Sequence, residues 1–374
     1  MARQFAFLMH PLRFDDFARK YPFTQRLPER WVESLFRHVP PMRVGHVTGV
    51  VSPTGAELEG WLLALAMTPR VLLDTPYPVV LRALEKAGRL AESLGAEIFG
   101  LGAFTKIAGD RGVTLASRLN IAVTTGNSYT TATAVTGALA AARRMEVDMA
   151  TAHVAVIGAT GSIGAACCHL LAREVAEITV VARGRKRLEE LAATLGAAHP
   201  GLVVHVETNI PAAARAADIL IAVSSSPDAL VEPEDLKPGA VVCDVARPRN
   251  LSRIVTERRP DVLVIDGGVI EVPGAHADLG FDFGFPPRMV EACMAETMAL
   301  ALDGRLENFT LGPSVDPAKV GEIAAIADRH GFKMSGFRRF ERAIPDAEVE
   351  QIRERAHAQL RSSATTPAVA ARSR

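Results

Sequence analysis

The sequence predicts an α/β protein whose middle third is a doubly wound parallel sheet. From Thr151 onward, the apolar runs HVAVIG, EITVVAR, ADILIAVSSS, AVVCDVA and DVLVIDGG alternate with helical or loop-like stretches. Strands that are apolar throughout are buried on both faces, as in a parallel sheet covered by helices. A glycine-rich turn, GATGSIG over 158–164, joins the first of these strands to the helix SIGAACCHLLAREV. At 374 residues, the chain is also too long for one ordinary core and calls for more than one domain.

The flanking elements follow in order. RVGHVTGVV alternates and then turns at Ser52, Pro53, Thr54 and Gly55, as a strand entering a hairpin does. WLLALAM, 61–67, is long enough only for buried core or the lining of a site. Residues 77–94 have helical periodicity and stop at Gly95. EIFGLGAF and NIAVTTGN are short buried strands ending in turns, and TATAVTGALAAARRM is a helix with small residues for close packing. After Pro286 and Pro287, helical texture is expected over 288–302, through PAKVGEIAAIADRHGF and near 346–360. The organisation expected is an N-terminal α/β substrate domain over 1–150, a Rossmann-type domain over 151–286, C-terminal helices over 287–360 and a disordered tail over 361–374.

Composition narrows the function classes. Lys plus Arg and Asp plus Glu balance at 42 each, so no basic stripe points to nucleic acid. The four cysteines, Cys167, Cys168, Cys243 and Cys293, lack zinc-type spacing and fit reduced thiols of the cytoplasm, with no metal expected. The start MARQFAFLMHPLRFDD has a short apolar run followed by charges, unlike a secretory signal. No apolar run approaches the roughly 18 residues of a membrane span.

The glycine-rich turn carries a specific physical expectation. Gly158, Gly161 and Gly164 let the backbone turn tightly and approach a pyrophosphate, whose charge meets the free amides of the helix start. Thr160 and Ser162 add hydroxyls, and Ile163 completes the turn. After the second strand stands ARGRKR, with Arg183, Arg185, Lys186 and Arg187, where an NAD site would place an acid. Guanidinium groups suit a 2′-phosphate, so NADPH is the cofactor expected. Ser224, Ser225, Gly267 and Gly268 follow strand ends, where open α/β sheets bind ligands, and are candidates to touch ribose or nicotinamide.

Cys167, Cys168 and Cys243 fall on elements that pack on or in the sheet and are expected to be core. Cys293, in RMVEACMAETMAL, lies beyond the sixth strand. With a helix starting at Pro287 it would sit nearly two turns in, beyond the reach of the helix dipole. Glu296 shares its face as a possible proton relay. On the residues alone, nucleophile and apolar core both stay open for Cys293.

Several stretches together resemble the aldehyde-forming long-chain acyl-ACP reductases of the cyanobacterial type. They are FAFLMHPL with His10, LGAFTKI, TTGNSYT, VAVIGATGSIG, IDGGVIE, ACMAETMAL, NFTLG and RHGF, collinear over about residues 5–335. The resemblance implies that Cys293, in its A-C-x-A-E element, accepts the acyl group from acyl carrier protein or coenzyme A. NADPH then reduces the thioacyl group to a fatty aldehyde. A fatty product further implies a peripheral association with membranes and an aldehyde-consuming enzyme as partner. Three positions depart from the family pattern: Tyr129 stands where it has His, Ala103 where it has Gly, and Lys106 where it has Ser. Tyr129 and Glu296 are the candidate proton donors, and the segment beyond 337 lies outside the resemblance. Two alternatives need no thiol: a dehydrogenase of the shikimate or methylene-tetrahydrofolate kind, and a non-catalytic NADPH-binding regulator.

Overall fold

The computed structural model describes residues 2–12, 14–16, 22–107, 109–226 and 228–365. The fold is α/β, as expected, and the chain forms two compact units. The first comprises Met1–Thr133, Gly161–Cys167 and Gly268–Ser335; the second comprises Ala134–Thr160, Cys168–Gly267 and Gly336–Arg374.

The first unit is built on five strands: β1 (Arg3–Met9), β2 (Met42–Val51), β3 (Glu57–Ala64), β4 (Ile98–Leu101) and β5 (Ala122–Thr124), in the order β2-β3-β1-β4-β5. β2 and β3 pair antiparallel through the expected turn, where Ser52 N–H donates to Ala56 O at 2.9 Å. The other pairs are parallel. The helix Tyr77–Ser93 buries Val80, Leu81, Leu84, Ala87 and Ala91 in a core with Leu8, Leu63, Phe99 and Leu101. At the end of β1, the buried His10 accepts a hydrogen bond through Nε2 from the Phe104 amide at 2.9 Å. Burial pushes its pKa down to about 4, because the charged ring would lose its water.

One expectation is corrected here. The stretch 288–302 is not helical from its start: Met289–Glu291 is a strand, and the helix is Ala292–Leu302. Two features explain the late start. Arg288 is left-handed, with φ +66°, which interrupts any helix begun at Pro287. The strand Val269–Glu271 also offers a paired edge, which Met289–Glu291 joins antiparallel, with Lys333–Met334 on its other side.

The second unit carries six parallel strands: β6 (His153–Ile157), β7 (Glu177–Val181), β8 (Val203–Glu207), β9 (Ile219–Ala222), β10 (Val241–Asp244) and β11 (Leu263–Asp266). Their order, β11-β10-β9-β6-β7-β8, steps outward from β6 to one edge, then returns beside β6 and runs to the other. The doubly wound expectation is met, and the order reverses between β6 and β9, where such sheets bind ligands. Cys167, Cys168 and Cys243 are fully buried, as expected of core residues.

The helices expected as one block over 287–360 are shared out. Ala292–Leu302 and Pro317–Arg329 belong to the first unit, Asp346–Thr365 to the second. The last helix continues through 361–365, where a disordered tail was expected to begin; Ser362 Oγ donates to Gln359 O at 2.7 Å inside it. Residues 366–374 lie outside those described. Among the described residues, no helix is long and apolar enough to cross a membrane.

The His10 environment yields a pH prediction. Its folded pKa lies below the unfolded value, so the unfolded chain binds more protons between about pH 4 and 6.5. This contribution is complete above about pH 6.5 and is lost as pH falls towards 4. It amounts to about 3 kcal/mol at full extent. Denaturant unfolding should therefore show wild type losing that much more stability than His10→Asn over this interval. Parallel losses in the two proteins would refute the assignment.

Candidate active site

The helix Ala292–Leu302 sets the position of Cys293. With Glu291 as N-cap, Cys293 is the second helical residue, inside the first turn rather than nearly two turns in. The amide of Ala292 donates to Gly268 O at 2.7 Å. The next amides, of Cys293 and Met294, have no carbonyl one turn back to receive them. The Met294 amide lies close enough to the Cys293 sulfur to favour the thiolate. Cys293 is partly buried, whereas almost every other residue of the helix is fully buried.

The T-T-G-N loop lies directly against this cysteine. A Cβ placed on Gly126 would stand 2.3 Å from both Cα and Cβ of Cys293. Gly126 also has φ +72°, so sterics and backbone both demand glycine there. The next residue, Asn127, is buried and donates from Nδ2 to Ser162 Oγ at 3.2 Å. Ser162 is the first residue of the helix that follows the glycine-rich turn. Asn127 Oδ1 is buried and has no hydrogen-bond partner among the described residues, which leaves an acceptor for a ligand.

Glu296 is completely buried and holds three elements together. Its Oε1 accepts from the hydroxyls of Thr124 at 2.5 Å and Thr310 at 2.8 Å, and its Oε2 from the Tyr129 amide at 2.8 Å. Ser128 Oγ lies 2.7 Å from Thr310 Oγ1, and the Thr310 amide donates to Thr124 Oγ1 at 3.2 Å. Ser128 and Thr310 border a cavity of about 230 Å³, lined also by Leu311, Ser314, Asp316 and Lys319. Burial pushes the Glu296 carboxyl up, opposed by its three donors and by the charge of Lys106. Tyr129 meets Glu296 through its backbone, and its phenol is pushed up by burial and by Asp328.

Burial is also the largest influence on the Cys293 thiol and pushes it up; Glu291 and Glu296 add to this, while Lys106 opposes it. Lys106 ends the short 3-10 turn Ala103–Lys106 after β4. Ala103 in that turn has φ +43°, a left-handed conformation at the position where the family pattern has glycine.

The other sequence-predicted residues divide by unit. In the second unit, Gly158 has φ +86°, and a Cβ there would come within 3.0 Å of the Ser224 backbone. The Ser224 amide donates to Asn250 Oδ1 at 3.0 Å. Arg187 reaches back to Thr160 O at 2.9 Å, and Arg185 pairs with Glu189 at 3.0 Å. Arg183, Arg185, Lys186 and Arg187 are all exposed. Gly267 packs on Val245 and Cys243. In the first unit, Gly161, Ser162, Ile163 and Gly164 run from the turn into its helix, and Gly268 holds the start of the Cys293 helix. The glycine cradle and the basic strand end fit a dinucleotide. Site residues not singled out from sequence are Gly126, Asn127, Thr124, Ser128 and Thr310. The T-T-G-N motif was their signal, but the Thr310 contacts join distant segments.

Gly126→Ala should destabilise the chain by about 2 kcal/mol or more, from overlap and an unfavourable φ together. It should also change the alkylation rate of Cys293. Thermal unfolding and iodoacetamide labelling at wild-type values would refute the contact.

The family model described as shikimate / quinate 5-dehydrogenase matches residues 139–266. The aminotransferase PigE of Serratia sp. is 30% identical over 340 residues, or 88% of this chain, and the chain spans 39% of PigE. L-tryptophan dehydrogenase from Nostoc punctiforme is 12% identical, with 96% of this chain and 89% of that one covered at a TM-score of 0.42. The long-chain acyl-[acyl-carrier-protein] reductase of Synechococcus elongatus is 31% identical over 313 residues, covering 79% of this chain and 87% of that protein. The chain thus belongs to the family of Rossmann-type, NAD(P)-dependent oxidoreductases that includes this Synechococcus enzyme.

Proposed function

We propose that the chain reduces a fatty acyl thioester, carried on acyl carrier protein or coenzyme A, to a fatty aldehyde with NADPH. The observation that carries this reading is the placement of Cys293 in the first turn of its helix, against a glycine that leaves no room for a side chain. The name of the Synechococcus relative supplies the substrate class. In this reading, the Cys293 thiolate attacks the thioester carbonyl, and the carrier's sulfur leaves and takes up a proton. The amides of Cys293 and Met294 are suited to bind the oxyanion of that step. The glycine turn and the arginines after β7 would hold NADPH, which would supply the hydride for the thioacyl carbonyl. Cleavage of the carbon–sulfur bond then releases aldehyde and restores Cys293.

The sum of these steps consumes one proton per aldehyde formed. Glu296 is proposed as its donor, with Tyr129 positioning it through the backbone amide. The Ser128 and Thr310 hydroxyls extend from Glu296 to the cavity they border, a path by which it would be reloaded. Lys106 is proposed to favour the thiolate of Cys293.

A second reading, hydride transfer to a small hydroxy acid without a thiol, is favoured by the shikimate / quinate match. That match ends at residue 266 and does not reach Cys293. The two readings separate on a covalent adduct. With long-chain acyl-CoA or acyl-ACP and no NADPH, intact mass should rise by one acyl group in wild type and stay unchanged in Cys293→Ala. Adding NADPH should remove the adduct and yield aldehyde. An unmodified wild type across several chain lengths would sink the covalent route.

Lys106→Met removes the cation that opposes the other influences on Cys293, so the thiol pKa should rise. The pH profile of Cys293 alkylation should then move to higher pH. Lys106→Arg should keep the wild-type profile. An unshifted profile in Lys106→Met would remove Lys106 from the proposal.

A further inference from the structure

The helix Glu29–Phe36 carries more apolar surface than its own core contact uses. Val32 and Phe36 are buried in a small cluster with Phe14, Val39 and Ala66. One step round the helix, Trp31 and Leu35 are 71% and 65% exposed, and Leu27, four residues before Trp31, is 42% exposed. At about 100° per residue, Trp31 and Leu35 share one line along the helix, with Arg30 and Ser34 beside them on the outer side.

The charges around this row are one-sided. Arg26, Arg30, Arg37 and His38 are exposed. The acids of 22–38 are Glu29 and Glu33; Glu33 is buried, accepts from Thr68 Oγ1 at 2.5 Å and pairs with Arg70. Glu29 is therefore the one exposed acid among three arginines. A short helix with Trp and Leu on one edge and Arg beside them matches an interfacial anchor, the apolar side chains entering lipid and the cations meeting headgroups.

We propose that this face, Leu27, Trp31 and Leu35 with Arg26, Arg30 and Arg37, docks on an anionic lipid surface. Three large apolar side chains raised on one short segment suit insertion into a fluid layer. Contact with an acidic protein would draw mainly on the arginines. The proposal does not depend on the reaction assigned to Cys293.

The test uses the full chain with extruded vesicles. Vesicles of phosphatidylcholine with phosphatidylglycerol should sediment the protein and shift Trp31 fluorescence to the blue, whereas phosphatidylcholine alone should bind far less. The double variant Trp31→Ser/Leu35→Ser should bind those vesicles about tenfold more weakly or worse. Arg26→Gln/Arg30→Gln/Arg37→Gln should weaken binding most at low salt. All these side chains are exposed, so melting temperatures should match wild type. The proposal is overturned by no binding to anionic vesicles, by binding that neither set of variants changes, or by a dimer that the double variant dissociates. Loss of acyl carrier protein binding in a chain that ignores vesicles would overturn it as well.

Discussion

The approach of the Gly126 backbone to Cys293 constrains the rest of the first unit. A residue with a side chain would collide with the cysteine backbone and would also have to adopt a left-handed φ. The loop after β5 can therefore press on the start of the Cys293 helix only with glycine at 126. Once it does, Thr124 on one side of the glycine reaches Glu296, and Asn127 on the other reaches Ser162. One close contact thus lines up the cysteine, a buried carboxyl and the helix after the dinucleotide turn. The helix start depends on a second glycine, since Gly268 O receives its first free amide while its backbone stays left-handed at φ +87°.

The electrostatics of Cys293 are a contest. Burial and two acids hold the proton on sulfur, while Lys106 and the Met294 amide draw it off. A substrate carbonyl arriving at the helix start would place developing negative charge near the same amides and cation that favour the thiolate.

Much of the architecture was legible because it is written in local chemistry. The continuous apolar runs after Thr151 could only be strands buried on both faces, and the glycine turn could only join a strand to a helix. The start of the Cys293 helix was not legible. Pro286 and Pro287 resemble a helix opening, yet a left-handed Arg288 and pairing with Val269–Glu271 turn the next residues into strand. That pairing is tertiary and leaves little mark in periodicity. The later start puts the Met294 amide beside the Cys293 sulfur, which periodicity could not show. The role of Ala103 was half visible: the resemblance marked a glycine position, and φ +43° shows that alanine accepts the same left-handed geometry. Thr310 was invisible, being 186 residues from Thr124 and meaningful only once both reach Glu296.

In the proposed reaction, Glu296 would be brace and proton donor together. As a carboxylate it accepts from three donors, each of which favours the charged form. Burial nonetheless pushes it towards the protonated form. A proton on Oε1 would turn the Thr310 hydroxyl away, so that Glu296 donates to Thr310 and Thr310 donates to Ser128. The Ser128 and Thr310 oxygens, 2.7 Å apart, admit either direction of donation. The Tyr129 amide on Oε2 stays in place in both states, so the carboxyl can gain or lose a proton without releasing the loop that holds Cys293. A group fixed in position yet free in protonation would meet the demand of the proposed reaction, which consumes one proton per aldehyde formed.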